Sequence, residues 1–176
     1  MRVGLIATTF AAQPRRSRVL AAKAVIVGGC TTAVGVAAAF AAYFASRPIQ
    51  RENGFVAPGY PDPDLTSEPV LRAILGSGAL CGLIGLLALG VGMIVKRTSV
   101  TIPLVIALFL VPALLAVDED VARKVQGWTP FAGFSIQHTV DRSDYYTGPW
   151  NGLAVAALYA AAALAIGIVV TRRRDV

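Results

Sequence analysis

Residues 24–45, AVIVGGCTTAVGVAAAFAAYFA, contain no charged side chain. A helix on the surface of a soluble domain needs one apolar face, whereas this run is apolar or small all round. Crossing a hydrocarbon layer ~30 Å thick takes about 20 such residues at 1.5 Å each, so the run has the length of a membrane span. Arg15, Arg16, Arg18 and Lys23 crowd its leading end. Basic residues beside a span remain in the cytoplasm, so this one stretch sets both the environment and the direction of the chain.

Three more apolar runs follow at residues 73–95, 99–117 and 152–171. Backbone groups in lipid must bond to one another, and the alternating segments of a β-barrel are absent, so each run reads as a helix. The expected fold is therefore an all-α integral membrane protein with four transmembrane helices. A hydrophobic content of 56%, a charged content of 15% and a mean hydropathy of +0.65 agree with that class. The net charge of +6 does not mark a nucleic-acid surface, because the basic residues sit at the ends of apolar runs.

Orientation comes from the flanks. Arg2, Arg15, Arg16, Arg18 and Lys23 precede the first span, Lys96 and Arg97 link the second to the third, and Arg172, Arg173 and Arg174 end the chain. These ten basic residues face six in the other loops, which places the N-terminus and C-terminus in the cytoplasm and loops 46–72 and 118–151 outside. The outer loops carry nine of the ten acids. Residues 1–13 lack the apolar core of a cleavable signal.

Local signals refine the picture. Pro58, Pro61 and Pro63 forbid a regular helix in the first outer loop. TSEPVLRAIL opens the second span, with Thr66 or Ser67 able to cap, Glu68 at the positive helix end and Pro69 in the first turn. The link KRTSVT is short enough to force spans two and three into a hairpin. Pro103 and Pro112 lie in span three, and Pro112 removes a hydrogen bond and predicts a kink. Gly78, Gly82, Gly85 and Gly92 share one face of span two, and Thr31, Gly35 and Ala39 offer matching spacing on span one. Small residues let membrane helices approach closely, so these four glycines are read as a packing face.

The second outer loop is too long for a plain connector. DEDVARKVQGW favours a short helix, and TPFAGFSI a segment dipping back toward the membrane. Trp128, Trp150, Tyr145 and Tyr146 suit the headgroup layer. His138 has no serine, cysteine or carboxylate at a defined spacing and reads as a surface histidine. Cys30 and Cys81 lie within apolar runs, where thiols behave as small buried hydrophobes. No phosphate loop, HExxH, CxxC or GxSxG occurs, and no Asp, Glu, His, Lys or Arg lies within the spans. A proton-coupled carrier needs such groups, so that class is disfavoured, as is an enzyme; no metal or cofactor is expected.

The ordered series TTFAAQPRRSRVLAAKA, EPVLRAIL, LALGVGMIVKRT, TPFAGFSI, PWNGLAVAALYAAAALAIG and TRRRDV resembles the permease subunits of bacterial ABC transporters of the type-two exporter class, particularly those of actinobacteria. The resemblance covers nearly the whole chain as a string of weak motifs. It implies that residues 4–23 form a cytoplasmic coupling segment touching a separate ATP-binding subunit. Thr8 and Phe10 would dock there, while Arg15, Arg16, Arg18 and Lys23 hold the segment at anionic headgroups. It also implies a second permease copy or paralogue as partner. Such permeases generally have six spans, so this chain would match the C-terminal two-thirds, with the start misassigned, the gene truncated or the first two spans supplied by another chain. The division expected is residues 1–23 as coupling-like segment, 24–171 as membrane domain and 172–176 as basic cytoplasmic tail. The function expected is permease of an ABC-type transporter in the cell membrane; the alternative is a four-helix scaffold or accessory protein that binds other membrane chains through its glycine face.

Overall fold

The computed structural model of the chain describes residues 16–52, 65, 67–95, 97–114, 127–138 and 148–173. Helix α1 covers Arg16–Glu52, α2 Glu68–Val95, α3 Thr98–Leu114 and α4 Pro149–Arg173, with a 3-10 helix at Pro130–Gln137 between α3 and α4. No strand occurs among the described residues. The chain is all-α.

The elements start where local chemistry allows. At the head of α2 the Ser67 carbonyl accepts from the amides of Val70 and Leu71, and Pro69 occupies the first turn, where its missing donor costs nothing. Glu68 adds a carboxylate at the positive helix end. Arg97 turns the chain from α2 into α3: its carbonyl accepts from the amides of Val100 and Thr101 and from Thr101 Oγ1 at 3.0 Å. Pro103 and Pro112 both lie within α3.

Among the described residues three helices are long and apolar enough to cross a membrane: Val19–Ile49 with 31 residues, Glu68–Val95 with 28 and Trp150–Thr171 with 22. The fourth apolar helix is shorter. Its 17 residues extend about 25 Å, a few ångströms less than the hydrocarbon thickness, against about 55 Å for α1. The sequence-predicted spans at 24–45, 73–95 and 152–171 fall inside α1, α2 and α4. Residues 115–117 of the third lie outside the described residues.

Helix α2 is the centre of the bundle. It packs against α1 on one side and α4 on another, with the 3-10 helix wedged between α2 and α4. The TPFAGFSI segment therefore folds back into the bundle. Leu80 of α2 and Pro130 and Ile136 of the 3-10 helix are fully buried, joined by Ala156 and Ala160 of α4. Phe109 of α3 meets Phe134 edge-on at 6.1 Å, and Phe134 touches Phe131 at 5.4 Å. Two polar clamps hold the segment's ends: Arg72 Nη2 donates to the His138 carbonyl at 3.1 Å, and Tyr159 OH to the Trp128 carbonyl at 3.0 Å.

Outward-facing side chains are largely apolar, including Val25, Val34, Ile102, Ile106, Leu158 and Ile166. In water such a surface would aggregate, whereas in a bilayer it faces lipid. The two cysteines correct the sequence reading. Cys30 and Cys81 are both free and exposed, Cys81 at the edge of the α1–α2 contact, where its sulfur would lie 3.0 Å from a Cβ built at Gly35.

Candidate helix-packing interface

The glycine face predicted for α2 meets α1 within the same chain. Gly78 and Gly82 are buried, and the side chains opposite them are Val36 and Thr32 of α1. A methyl group built at Gly78 would also lie 3.0 Å from the Val36 amide nitrogen and 3.2 Å from the Thr32 carbonyl oxygen. At Gly82 it would lie 3.3 Å from the Gly28 carbonyl oxygen. The backbones of α1 and α2 are thus in contact, which only a missing Cβ permits. Gly85 follows one turn later, where a Cβ would meet Thr31 Oγ1 at 2.8 Å.

Helix α1 contributes the complementary small residues. A Cβ at Gly35 would lie 2.7 Å from Cys81 Cβ and 3.0 Å from Gly78 Cα, and Gly35 is buried. Thr31 Oγ1 donates back to the Val27 carbonyl at 2.7 Å, with Gly28 O at 3.2 Å. Its hydroxyl is satisfied inside its own helix, so the methyl is left to pack. The scaffold reading required this glycine face to be free for another chain. Within this fold it is already filled by α1.

Gly92 stands apart from the other three. Its nearest neighbour is Thr101 Cγ2 of α3, at 3.8 Å from a built Cβ, an ordinary contact distance. Two crossing helices touch over only a few turns, and by Gly92 the contact with α1 is past.

A second small-residue seam joins α2 to α4. A Cβ at Gly90 would lie 2.7 Å from the Leu164 amide nitrogen, and one at Gly167 would lie 3.0 Å from the Gly90 carbonyl oxygen. Along α4 the buried positions are Gly152, Ala156, Ala160 and Gly167, with Ala163 half-buried between the last two. A four-four-three-four spacing of small residues was the available sequence signal. Gly152 packs on Ala132 and Ser135 of the 3-10 helix, and Gly76 of α2 packs on Ile136. Ser135 Oγ is buried there with no hydrogen-bond partner among the described residues.

The residues assigned to coupling divide between described and undescribed parts. Thr8, Phe10 and Arg15 lie outside the described residues, as do Tyr145, Tyr146, residues 118–126 and Arg174. Arg16 and Arg18 belong to the first turn of α1, and Lys23 is exposed further along the same helix. The basic segment and the first span are therefore one continuous helix from Arg16 onward, with no joint at residue 23. His138 is exposed, and its described role is to offer its carbonyl to Arg72. Trp128 and Trp150 are strongly exposed, as headgroup-facing rings would be. No cluster of three or more metal-ligating side chains occurs among the described residues.

Comparison with protein-family models, curated proteins and solved structures finds no match to this chain.

Proposed function

We propose that the chain is the membrane-spanning part of an ABC-type transporter permease, moving a substrate across the cell membrane with ATP hydrolysed by a separate subunit. The observation that carries this reading is the continuity of α1. Arg16, Arg18 and Lys23 stand on the same helix that meets α2 backbone to backbone. A partner pressing on the basic end of α1 would move a rigid rod, and the Gly35, Gly78 and Gly82 contact would pass that movement to α2. From α2 it would reach α4 and the 3-10 helix packed between them.

In this reading α3 completes a four-span topology despite its length. A deficit of a few ångströms costs fractions of a kcal/mol per ångström and is met by local thinning of the bilayer. Both termini lie in the cytoplasm, and the Trp128, His138 and Trp150 end of the bundle faces outward. Roles for the basic residues are mechanical and electrostatic, with a second permease copy or paralogue completing the assembly.

The test is affinity purification of the full chain from its native membrane in mild detergent. An ATP-hydrolysing subunit is expected to co-purify, and deletion of residues 4–13 is expected to remove it while α1 to α4 still insert. Purification of the intact chain with no ATPase would contradict the reading.

A further inference from the structure

Between α1 and α4 the bundle leaves an open trough of about 520 Å³. Its floor is α2, represented by Leu83 and Leu86, and its walls are Gly28 and Thr32 of α1 and Leu153, Ala154 and Ala157 of α4. Almost every lining group is apolar, and the volume lies in the range of small-molecule sites. Trp150, itself largely exposed, closes the wall where α4 begins.

A charge stands in line with this trough. Arg72, Ala79 and Leu86 follow one another at seven-residue intervals on α2, which places them on one face, and the latter two line the trough. Arg72 is thus about 10 Å from Ala79 along the axis, near the start of α2. Its guanidinium is mostly buried. Nη2 serves the His138 carbonyl, Nη1 stands 3.9 Å from the largely exposed Glu68 carboxylate, and Nε is buried without a hydrogen-bond partner. An exposed ion pair at that distance neutralises little. With α2 spanning a bilayer, the apolar trough would stand at the depth of acyl chains and the cation further out, where helix ends meet headgroups.

We propose that the trough holds an acyl chain of a phospholipid whose phosphate is bound at Arg72. The apolar lining takes the chain, and the guanidinium supplies the charge complementary to a phosphodiester, in a geometry arginine favours. Trp150 packs beside the glycerol region, its amphipathic ring matched to that layer.

The experiment uses the full chain reconstituted with phosphatidylglycerol, extracted in detergent, washed, and weighed by native mass spectrometry. Wild type is expected to retain one phospholipid per chain. Filling the trough with Ala154→Phe plus Ala157→Phe is expected to cut retention about tenfold, the effect of losing burial of two methylenes. Arg72→Gln is expected to cut it by about the same factor through loss of a charge-assisted bond, and Arg72→Lys to restore part of it. Leu110→Phe, on the exposed face of α3, is expected to change nothing. Should the double variant fail to fold, Ala157→Leu alone gives the same reading. Unchanged retention in the filled variants, or equal loss in Leu110→Phe, would overturn the proposal. So would a wild-type dimer that falls apart when the trough is filled, since the occupant would then be a second copy. Lipid retention does not depend on the ATPase, so the two proposals fail separately.

Discussion

The two seams on α2 are built from the same residue types but to different ends. On the α1 side, Gly78, Gly82 and Gly85 bring two backbones together along a narrow line, and almost all of the remaining surface of α1 faces outward: only 6% of its span window is buried, against 28% for α2. On the α4 side, Gly90 and Gly167 also bring backbones together, but around the 3-10 helix small residues make room for bulk. Gly76 admits Ile136, Gly133 admits Leu80, and Gly152 admits the Ala132 carbonyl, producing the fully buried cluster of Leu80, Pro130 and Ile136. The α1 seam is one line of glycines seated against Val36, Thr32 and Thr31, whereas the α4 seam adds a third element, the 3-10 helix, whose side chains interdigitate with both helices. The difference leaves α1 resting on α2, and α4 held by both α2 and the 3-10 helix.

That contrast can be broken most severely at Gly152. Gly152→Val is expected to destabilise the fold by about 3 kcal/mol, since Ala132 and Ser135 occupy the space required. Equilibrium unfolding in a denaturing detergent would show it, with the 3-10 helix released first. Gly82→Leu should cost about 2 kcal/mol and detach α1 while α2, α4 and the 3-10 helix stay together. Protease or label access along α1 but not along α4 would display the split; simultaneous exposure of both would show that the seams are not independent.

How far the sequence reveals this arrangement depends on which signal is asked. Residues 24–45, 73–95 and 152–171 are legible as helices because an uncharged run of that length has one physical solution in lipid. The α1 seam is legible too, since Gly78, Gly82 and Gly85 repeat on one face. Gly92 obeys the same spacing yet meets Thr101, because spacing defines a face and not where two helices part. The α4 seam was hidden by abundance: in a helix as rich in alanine as PWNGLAVAALYAAAALAIG, the buried Ala156 and Ala160 look like the exposed Ala161 and Ala162. The exposure of Cys30 and Cys81 is hidden for a related reason, as an apolar run reports the bilayer and not the protein core.

Smaller effects sharpen the comparison. Arg72→Ala should cost about 1 kcal/mol by leaving the His138 carbonyl without its donor, and Tyr159→Phe a similar or smaller amount at the Trp128 carbonyl. Both would loosen the 3-10 helix ends and leave α1 untouched, as hydrogen exchange at residues 130–138 would register. Gly92→Ala should stay within about 0.5 kcal/mol of wild type, because its nearest neighbour leaves room for a methyl group.

The central claim is that α1 docks on the glycine face of α2 in its own chain, so that its basic end can act on the bundle. Gly35 and Cys81 test it directly. A Cβ at Gly35 lies 2.7 Å from Cys81 Cβ and 3.0 Å from its sulfur, close enough to reach disulfide geometry with a slight separation of the helices. In a Cys30→Ser background, Gly35→Cys treated with a mild oxidant in the membrane should form a disulfide with Cys81 inside a single chain, seen as a bridged peptide pair at monomer mass. Absence of the bridge, or its formation only between two copies, would contradict the account.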